Sequence, residues 1–299
     1  MNDPIDTTLR RWRAAIDGQL GRILDDRAEL TDRVADAIHY SLTGEGKRVR
    51  GLLLMAAHDA VAPSPRRDAS AMAAAVEIVH AYSLVHDDLP CMDDDNIRRG
   101  RPTAHRAFDV ATATVAGVAM VPLAVRQTLV AARAMELDAV TARRLVAALM
   151  HASGVSGMVG GQLLDLEGEG RALGIGDLEA VHRAKTGALI AAACTMGGIA
   201  GGGSATQVAA LGAFGSALGL AFQIADDVLD ATESSESLGK TAGLDAARSK
   251  STYASVLGID KARARSDALV AEAMAVLGGA SLQTPVIDHL AHFVAVRRS

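Results

Sequence analysis

The sequence predicts an all-α protein, a large single-domain helical bundle with a central apolar cavity, and three observations carry that prediction. First, 49% of the 299 residues are apolar but only 3% are aromatic, so the core must be built from Ala, Leu, Val, Ile and Met. Such a supply, with few β-branched runs, favours helix over strand. Second, apolar residues recur at helical spacing almost everywhere, and strand signals are nearly absent. Third, no internal repeat, low-complexity linker or composition shift divides residues 1–299, so they read as one domain.

Taken in order, residues 9–28 read as a charged amphipathic helix and 32–42 as a second, ending at Gly44-Glu45-Gly46. A third runs over 49–60 and stops at Pro63-Ser64-Pro65, because proline cannot continue a helix. Residues 69–88 form a strong helix that must end near Pro90. Further helices are predicted over 110–134, 138–158, 177–199, 205–231, 247–256, 259–277 and 282–297. Pro122 lies inside the 110–134 helix and is expected to kink it.

Charge and composition exclude several functions. A net charge of −5 leaves no basic stripe for nucleic acid. Two cysteines, Cys91 and Cys194, make no disulfide framework and fit a reducing cytoplasm. The charged N-terminus has no apolar signal-peptide core. Residues 186–225 carry no charge, but they are rich in Ala and Gly and broken by Gly201-Gly202-Gly203-Ser204. Spanning a membrane needs ~20 strongly apolar residues. Two buried helices joined by a Gly turn are therefore predicted, with no membrane span.

Two acidic clusters carry the chemistry. The first, His86-Asp87-Asp88-Leu89-Pro90-Cys91-Met92-Asp93-Asp94-Asp95, follows the most apolar part of a helix. A charge run is usually a solvated loop. Carboxylates at the end of a buried helix instead invite Mg²⁺, a hard ion that takes oxygen ligands and keeps waters for a phosphate. The second, Asp226-Asp227-Val228-Leu229-Asp230, ends the uncharged stretch. Asp226 and Asp230 are four apart and share one helix face, roughly that of Gln223.

Cations surround these acids. Lys47, Arg48 and Arg50 open a helix, where backbone N–H groups also favour anions. Arg98, Arg99 and Arg101 follow the first acids, Lys185-Thr186 begins the uncharged stretch, and Lys240 follows the second acids. Together they describe a site for polyanions held by metal and guanidinium groups. The ligand carries phosphates at one end, and the uncharged helices imply that its other end is greasy.

The segments GEGKRVR, EIVHAYSLVHDDLPCMDDDNIRRGRPTAH, GMVGGQLLDLE, HRAKTGALI, GLAFQIADDVLD and LGKTAGLDAARSKSTY resemble the polyprenyl diphosphate synthase family. The likeness is to bacterial farnesyl and related geranylgeranyl diphosphate synthases, and it runs in order from about residue 40 to 258. The resemblance implies the isoprenoid synthase fold and head-to-tail prenyl transfer. Asp87, Asp88 and Asp93 match the first aspartate motif, with the four-residue spacer of the bacterial type. Asp226, Asp227 and Asp230 match the second. Such motifs imply a cluster of three Mg²⁺ on the allylic diphosphate, with Asp87, Asp88, Asp93, Asp226 and Asp230 as the metal ligands. Lys47, Arg50, His80 and Arg99 match contacts to isopentenyl diphosphate, and Arg98, Lys185 and Lys240 contacts to the allylic diphosphate. Thr186 and Gln223 match polar groups beside the reacting carbons. Tyr82, with Ser83 beside it, falls where a bulky residue closes the chain pocket, so the expected product is farnesyl diphosphate.

Some positions depart from the family pattern. Val118 stands where an acid is usual on a helix at or near the cavity, Gly51 stands for a proline, and Phe108-Asp109-Val110-Ala111 replaces a Gly-Glu pattern. These departures bear on product length more than on diphosphate binding. His86 and His182 are read as structural, Trp12 as packing, and Cys91 has no assigned role. A homodimer is expected from the resemblance and from the apolar surface of the uncharged stretch. The alternatives are a geranylgeranyl or C10 synthase, a terpene cyclase, or a non-catalytic regulatory subunit. Lys47, Arg50 and Arg99 supply a second diphosphate site that a cyclase does not need, and a regulatory subunit typically loses one acidic cluster.

Overall fold

The computed structural model describes residues 3–25, 32–64, 66–232 and 250–295. Helices α1 (Pro4–Arg22), α2 (Asp32–Leu42), α3 (Val49–Val61) and α4 (Ser70–Asp87) come first. The single turn α5 (Ala104–Ala107) leads into α6 (Val110–Ala134) and α7 (Ala139–Ser153). Then follow α8 (Met158–Gly168), α9 (Ile175–His182), α10 (Ala188–Ala200) and α11 (Ala205–Thr232). Helices α12 (Tyr253–Leu257), α13 (Ile259–Gly279) and α14 (Pro285–Ala295) complete the described residues. The fold is all-α. The only strands among the described residues are the two-residue pair β1 (Ile97–Arg98) and β2 (Arg101–Pro102), antiparallel with Arg98 opposite Arg101.

Polar caps and prolines set the helix ends. Asp3 accepts a hydrogen bond from the Ile5 N–H beside Pro4 at the start of α1, and Asp138 accepts from the Val140 and Thr141 N–H groups at the start of α7. Asp109, one of the departures from the family pattern, is the N-cap of α6, accepting from the Thr112 N–H at 2.7 Å. Helix α3 ends just before Pro63, and α6 continues as one helix through Pro122.

Helix α10 is the hub, packed between α3, α7 and α11, with ten of its thirteen residues buried. Its small residues let backbones approach: a Cβ on Gly197 would meet the Leu54 carbonyl oxygen of α3 at 2.3 Å. Helix α4 lies along α6 and against α1 and α3, and α11 lies along α13. One hydrophobic cluster runs from Trp12 to Val294.

The uncharged stretch is thus consumed inside the bundle, and the apolar surface expected of it lies elsewhere. Ala111, Val115, Val118, Pro122 and Leu129 are exposed along one side of α6. Val118 is 60% exposed, on the outer side of its helix, whereas the sequence placed it at or near the cavity wall. Helices α6 and α11 are long and apolar enough to cross a membrane, and both are packed against neighbours in the bundle.

Two elements escape the sequence reading. Helix α8 occupies a stretch for which no helix was predicted beyond residue 158, and the helix predicted over 138–158 ends at Ser153. Between α9 and α10, residues Arg183–Gly187 form a π turn, so the predicted helix 177–199 carries one extra residue in its ladder.

Gly51 is the third residue of α3, where the N–H has no partner within the helix. It donates instead to Glu77 Oε1 at 2.8 Å, on a side chain only 3% exposed. Gly51→Pro removes that donor and leaves a buried carboxylate short of a partner. It should cost about 1–3 kcal/mol, read as a lower urea midpoint at unchanged slope; an unchanged midpoint would refute the role given to this bond.

Candidate active site

The first acidic cluster is a folded turn rather than a loose loop. Helix α4 ends at Asp87, and Asp88 closes it by donating its N–H to the Leu84 carbonyl at 3.1 Å. The spacer Leu89–Met92 then doubles back. The Asp93 N–H donates to the Asp87 carbonyl at 2.8 Å, and the Asp94 N–H to Leu89 at 3.1 Å, with Asp94 in the left-handed region. The four-residue spacer therefore returns Asp93 to Asp87. Burial raises the Asp87 carboxyl to about 6, with Lys185 opposing and Asp93 adding to the shift.

Asp88 is turned the other way. It is 3% exposed and lies in the fork of Arg98, whose Nε donates to it at 3.0 Å while Nη2 also reaches Asp95 at 2.9 Å. Burial raises Asp88 as well, to about 6, against the pull of Arg98. Asp88 thus anchors Arg98, which is held by two carboxylates.

The π turn splits two neighbouring side chains between the acidic clusters. Lys185 Nζ binds Asp165 Oδ2 of α8 at 2.6 Å and lies close enough to Asp87 to oppose its shift. Thr186, 9% exposed, donates through Oγ1 to Gln223 Oε1 at 3.0 Å. Gln223 in turn donates to Asp227 at 3.2 Å. Asp227 is buried, accepts the Tyr253 N–H at 2.9 Å and lies 3.3 Å from His182 Nε2, whose ring stacks on Tyr253. Asp227 therefore ties α11 to α9 and α12, while Asp226 and Asp230 stay partly exposed on the neighbouring face. Helix α8 sits tight against this turn: a Cβ on Gly161 would lie 2.2 Å from the Lys185 backbone nitrogen.

Asp165, Glu169 and Lys250 belong to this site, and the sequence reading assigned them no role. Lys250 Nζ lies 3.0 Å from Asp165, 3.3 Å from Glu169 and 3.6 Å from Asp93. Burial works against its charge, but Asp165 and Asp93 win and raise its pKa. The available signal was spacing: Asp165 stands three residues after Gln162 on α8, and Lys250 lies in RSKSTY. Lys240 lies outside the described residues.

A second, basic cleft opens between α2, α4 and the β1–β2 hairpin, lined by Glu77, His80, Asp88, Arg98 and Arg99. The hairpin turns through Arg99 (φ 55°) and Gly100 (φ 73°), and Arg99 Nη1 donates to the Glu45 carbonyl at 2.8 Å. Burial, with the guanidinium groups of Arg50, Arg99, Arg98 and Arg48, holds the His80 imidazole well below its usual pKa, so it is neutral near pH 7. Arg48 is a structural tie: its Nε binds Asp17 of α1 at 2.7 Å and Nη2 donates to the Leu42 and Gly44 carbonyls. Lys47 is exposed, its ammonium 5.6 Å over the ring of Phe293. His80, Arg98, Arg99 and Arg50 thus cluster, while Lys47 is exposed beside Phe293.

Within the bundle, Tyr82 packs edge-on against His86, with centroids 4.9 Å apart, and His86 Nε2 lies 3.1 Å from the Thr114 carbonyl of α6. Ser83 donates to the His80 carbonyl at 2.9 Å. Among the described residues no three Asp, Glu, His or Cys side chains form a ready-made ion cage. All-oxygen donors crowded enough to resist ionisation nevertheless suit a hard divalent ion that takes one or two carboxylates and leaves its other positions to water and phosphate.

Residues 31–280 match the polyprenyl synthetase family model. The chain belongs to the polyprenyl synthetase family. It is 36% identical over 297 residues to farnesyl diphosphate synthase of Bacillus subtilis, covering 99% of both chains. A chloroplastic geranylgeranyl pyrophosphate synthase of Arabidopsis thaliana is 39% identical over 283 residues, 92% of this chain and 80% of the relative. A Helicobacter pylori geranyltransferase, solved with magnesium and isoprenyl diphosphate, superposes with a TM-score of 0.82 at 28% identity, covering 98% of this chain and 97% of that one. The protein is accordingly a prenyl-transferring enzyme of the trans-prenyl synthase kind.

In this polyprenyl synthetase, Asp87 and Asp88 both carry folded-state pKa values near 6 against 3.8 for the free group. Between about pH 4 and 6 the folded state holds protons that the unfolded chain has lost, so stability should rise as pH falls through that window. Metal-free protein should melt higher at pH 5.5 than at 7.5, and Asp87→Asn should flatten the difference. A wild type that loses stability over the same descent, by a margin Asp87→Asn leaves unchanged, would contradict the assignment.

Proposed function

We propose that this enzyme condenses isopentenyl diphosphate with dimethylallyl or geranyl diphosphate to give farnesyl diphosphate. The observation that carries the reading is the pair of anion-binding regions on either side of Asp88 and Arg98. One is the acid-and-lysine cluster of Asp87, Asp93, Asp165, Lys185 and Lys250, and the other is the cleft of His80, Arg98 and Arg99. Two diphosphates need two such regions.

Asp87, Asp93, Asp226 and Asp230 would hold Mg²⁺, three ions per site, on the allylic diphosphate. When bound, the metal supplies a Lewis acid for the oxygens of the departing pyrophosphate. Lys185 and Lys250 add fixed positive charge on the same side, and Lys240 is assigned there by the resemblance. Thr186 and Gln223 hold each other beside the reacting carbons. The allylic cation is attacked by the double bond of isopentenyl diphosphate, held by Arg50, His80 and Arg99, with Lys47 at the rim. Released pyrophosphate takes the proton. The Ala-, Gly- and Leu-rich helices keep out water that would convert the cation to an alcohol.

The test is incubation with Mg²⁺, isopentenyl diphosphate and each allylic diphosphate, followed by sizing of the products. Asp87→Ala and Asp226→Ala should each lower kcat by orders of magnitude, and Arg99→Ala should chiefly raise the KM for isopentenyl diphosphate. Near-normal turnover in a folded Asp226→Ala, or a change confined to the allylic KM in Arg99→Ala, refutes the assignments.

The C15 product rests on Tyr82, since farnesyl and geranylgeranyl synthases are both close relatives. Tyr82 lies five residues before Asp87, about 7.5 Å along α4, with its ring braced by His86. Tyr82→Ala should shift products to C20 or longer. A wild type that already makes mainly C20 would show that Tyr82 is not the floor.

The enzyme is a homodimer joined through α6. Ala111, Val115, Val118, Pro122 and Leu129 follow a spacing of four, three, four and seven residues, a heptad stripe left uncovered by the chain itself. Sedimentation at micromolar concentration should give a dimer, and Val118→Asp should weaken it. A monomeric wild type overturns this assignment.

A further inference from the structure

Away from the acidic clusters, a cavity of about 470 Å³ opens between the middle of α1, the last turns of α3 and the segment that leads into α4. It is separate from the active site. His58, which lines it, is eight residues beyond Arg50 on α3, about 12 Å along the axis. Ala69, on its far wall, is eleven residues before His80, about 16 Å. The volume lies in the range of small-molecule sites.

Some of its polar wall is already committed. Arg66 Nε pairs with Asp59 at 2.9 Å, and Arg67 binds the Met135 carbonyl and Glu136. Asp68 accepts from both the N–H and the hydroxyl of Ser70 at the head of α4. The uncommitted groups are of three kinds. Trp12, Ala15 and Met55 form an apolar floor. His58 is only 4% exposed, and among the described residues its ring makes no hydrogen bond. Arg11 stands exposed at the mouth with no ion pair among the described residues. Burial lowers the His58 pKa, so the ring offers a neutral donor and acceptor.

We propose that this cavity is a second ligand site, for an organic anion whose apolar body rests on Trp12 and Met55, whose polar atoms meet His58, and whose charged head meets Arg11. It lies outside the condensation machinery and does not depend on the reading given above.

Trp12 is the only tryptophan in the chain, which makes its fluorescence a local reporter. Octyl phosphate, inorganic phosphate and octanol are titrated separately into the full-length protein, with and without saturating isopentenyl diphosphate. The expected result is a saturable change with octyl phosphate that isopentenyl diphosphate does not displace, and a much weaker response to either half alone. Arg11→Glu, at an exposed position, should weaken the octyl phosphate response about tenfold to a hundredfold, the loss of one charge-assisted hydrogen bond. No saturable change, equal affinity in Arg11→Glu, or displacement by isopentenyl diphosphate would each overturn the proposal.

Discussion

The structure turns on holding carboxylates together where water is scarce. Burial, the largest influence, and neighbouring carboxylates push Asp87 and Asp88 up to about 6 against the pull of nearby cations, and Asp93 is folded back onto Asp87 by a backbone hydrogen bond. Such a cluster would drive its own helix ends apart unless cations were fixed beside it. Lys185 and Lys250 are those cations. They meet at one oxygen, Asp165 Oδ2, so that α8, the π turn and the segment before α12 converge on the loop after α4. The bundle geometry around the site follows from this charge balance as much as from apolar packing.

The π turn is what lets one stretch of backbone serve two sides. In a regular helix the side chains of residues 185 and 186 are about 100° apart. Here Lys185 reaches Asp165 while Thr186 reaches Gln223. The extra residue is tolerated because Gly161 lets α8 lie directly on the backbone of the turn. On the other side, Asp227 collects a backbone N–H, an amide and the neighbourhood of His182. The inward aspartate of the triplet thus fixes the rotation of α11, which leaves Asp226 and Asp230 on the open face.

What could be read from the sequence and what could not have different physical origins. Helix positions were legible because nearly every helix buries one face, and the predicted boundaries of α2, α3, α4, α6 and α11 fall within a residue or two of those observed. Helix α8 was not, because its glycines serve close backbone approaches that no local pattern announces, Gly157 and Gly160 to the preceding turn and Gly161 to the distant Lys185. The acidic clusters were legible because each ends an apolar run. Lys250 was not, because one lysine in a polar stretch carries no local sign that three carboxylates from elsewhere will surround it. The pairing of Asp88 with Arg98 was not legible either, since only the fold brings the two side chains together.

The departures from the family pattern fall on framework and surface. Asp109 caps α6, Gly51 supplies the N–H that Glu77 needs, and Val118 is exposed on the outer side of α6. Each acts on framework or surface, and none contacts the groups around Asp87, Lys185 or Lys250. A regulatory, non-catalytic chain would be free to lose the costly part of the structure first, because buried carboxylates and buried lysines destabilise a fold that makes no use of them. This chain keeps them, pairs them through Asp165, and varies where variation is cheap. That distribution of change is what retained prenyl transfer requires, and it leaves the outer side of α6 and the wall around Tyr82 as the places where this enzyme can differ from its relatives.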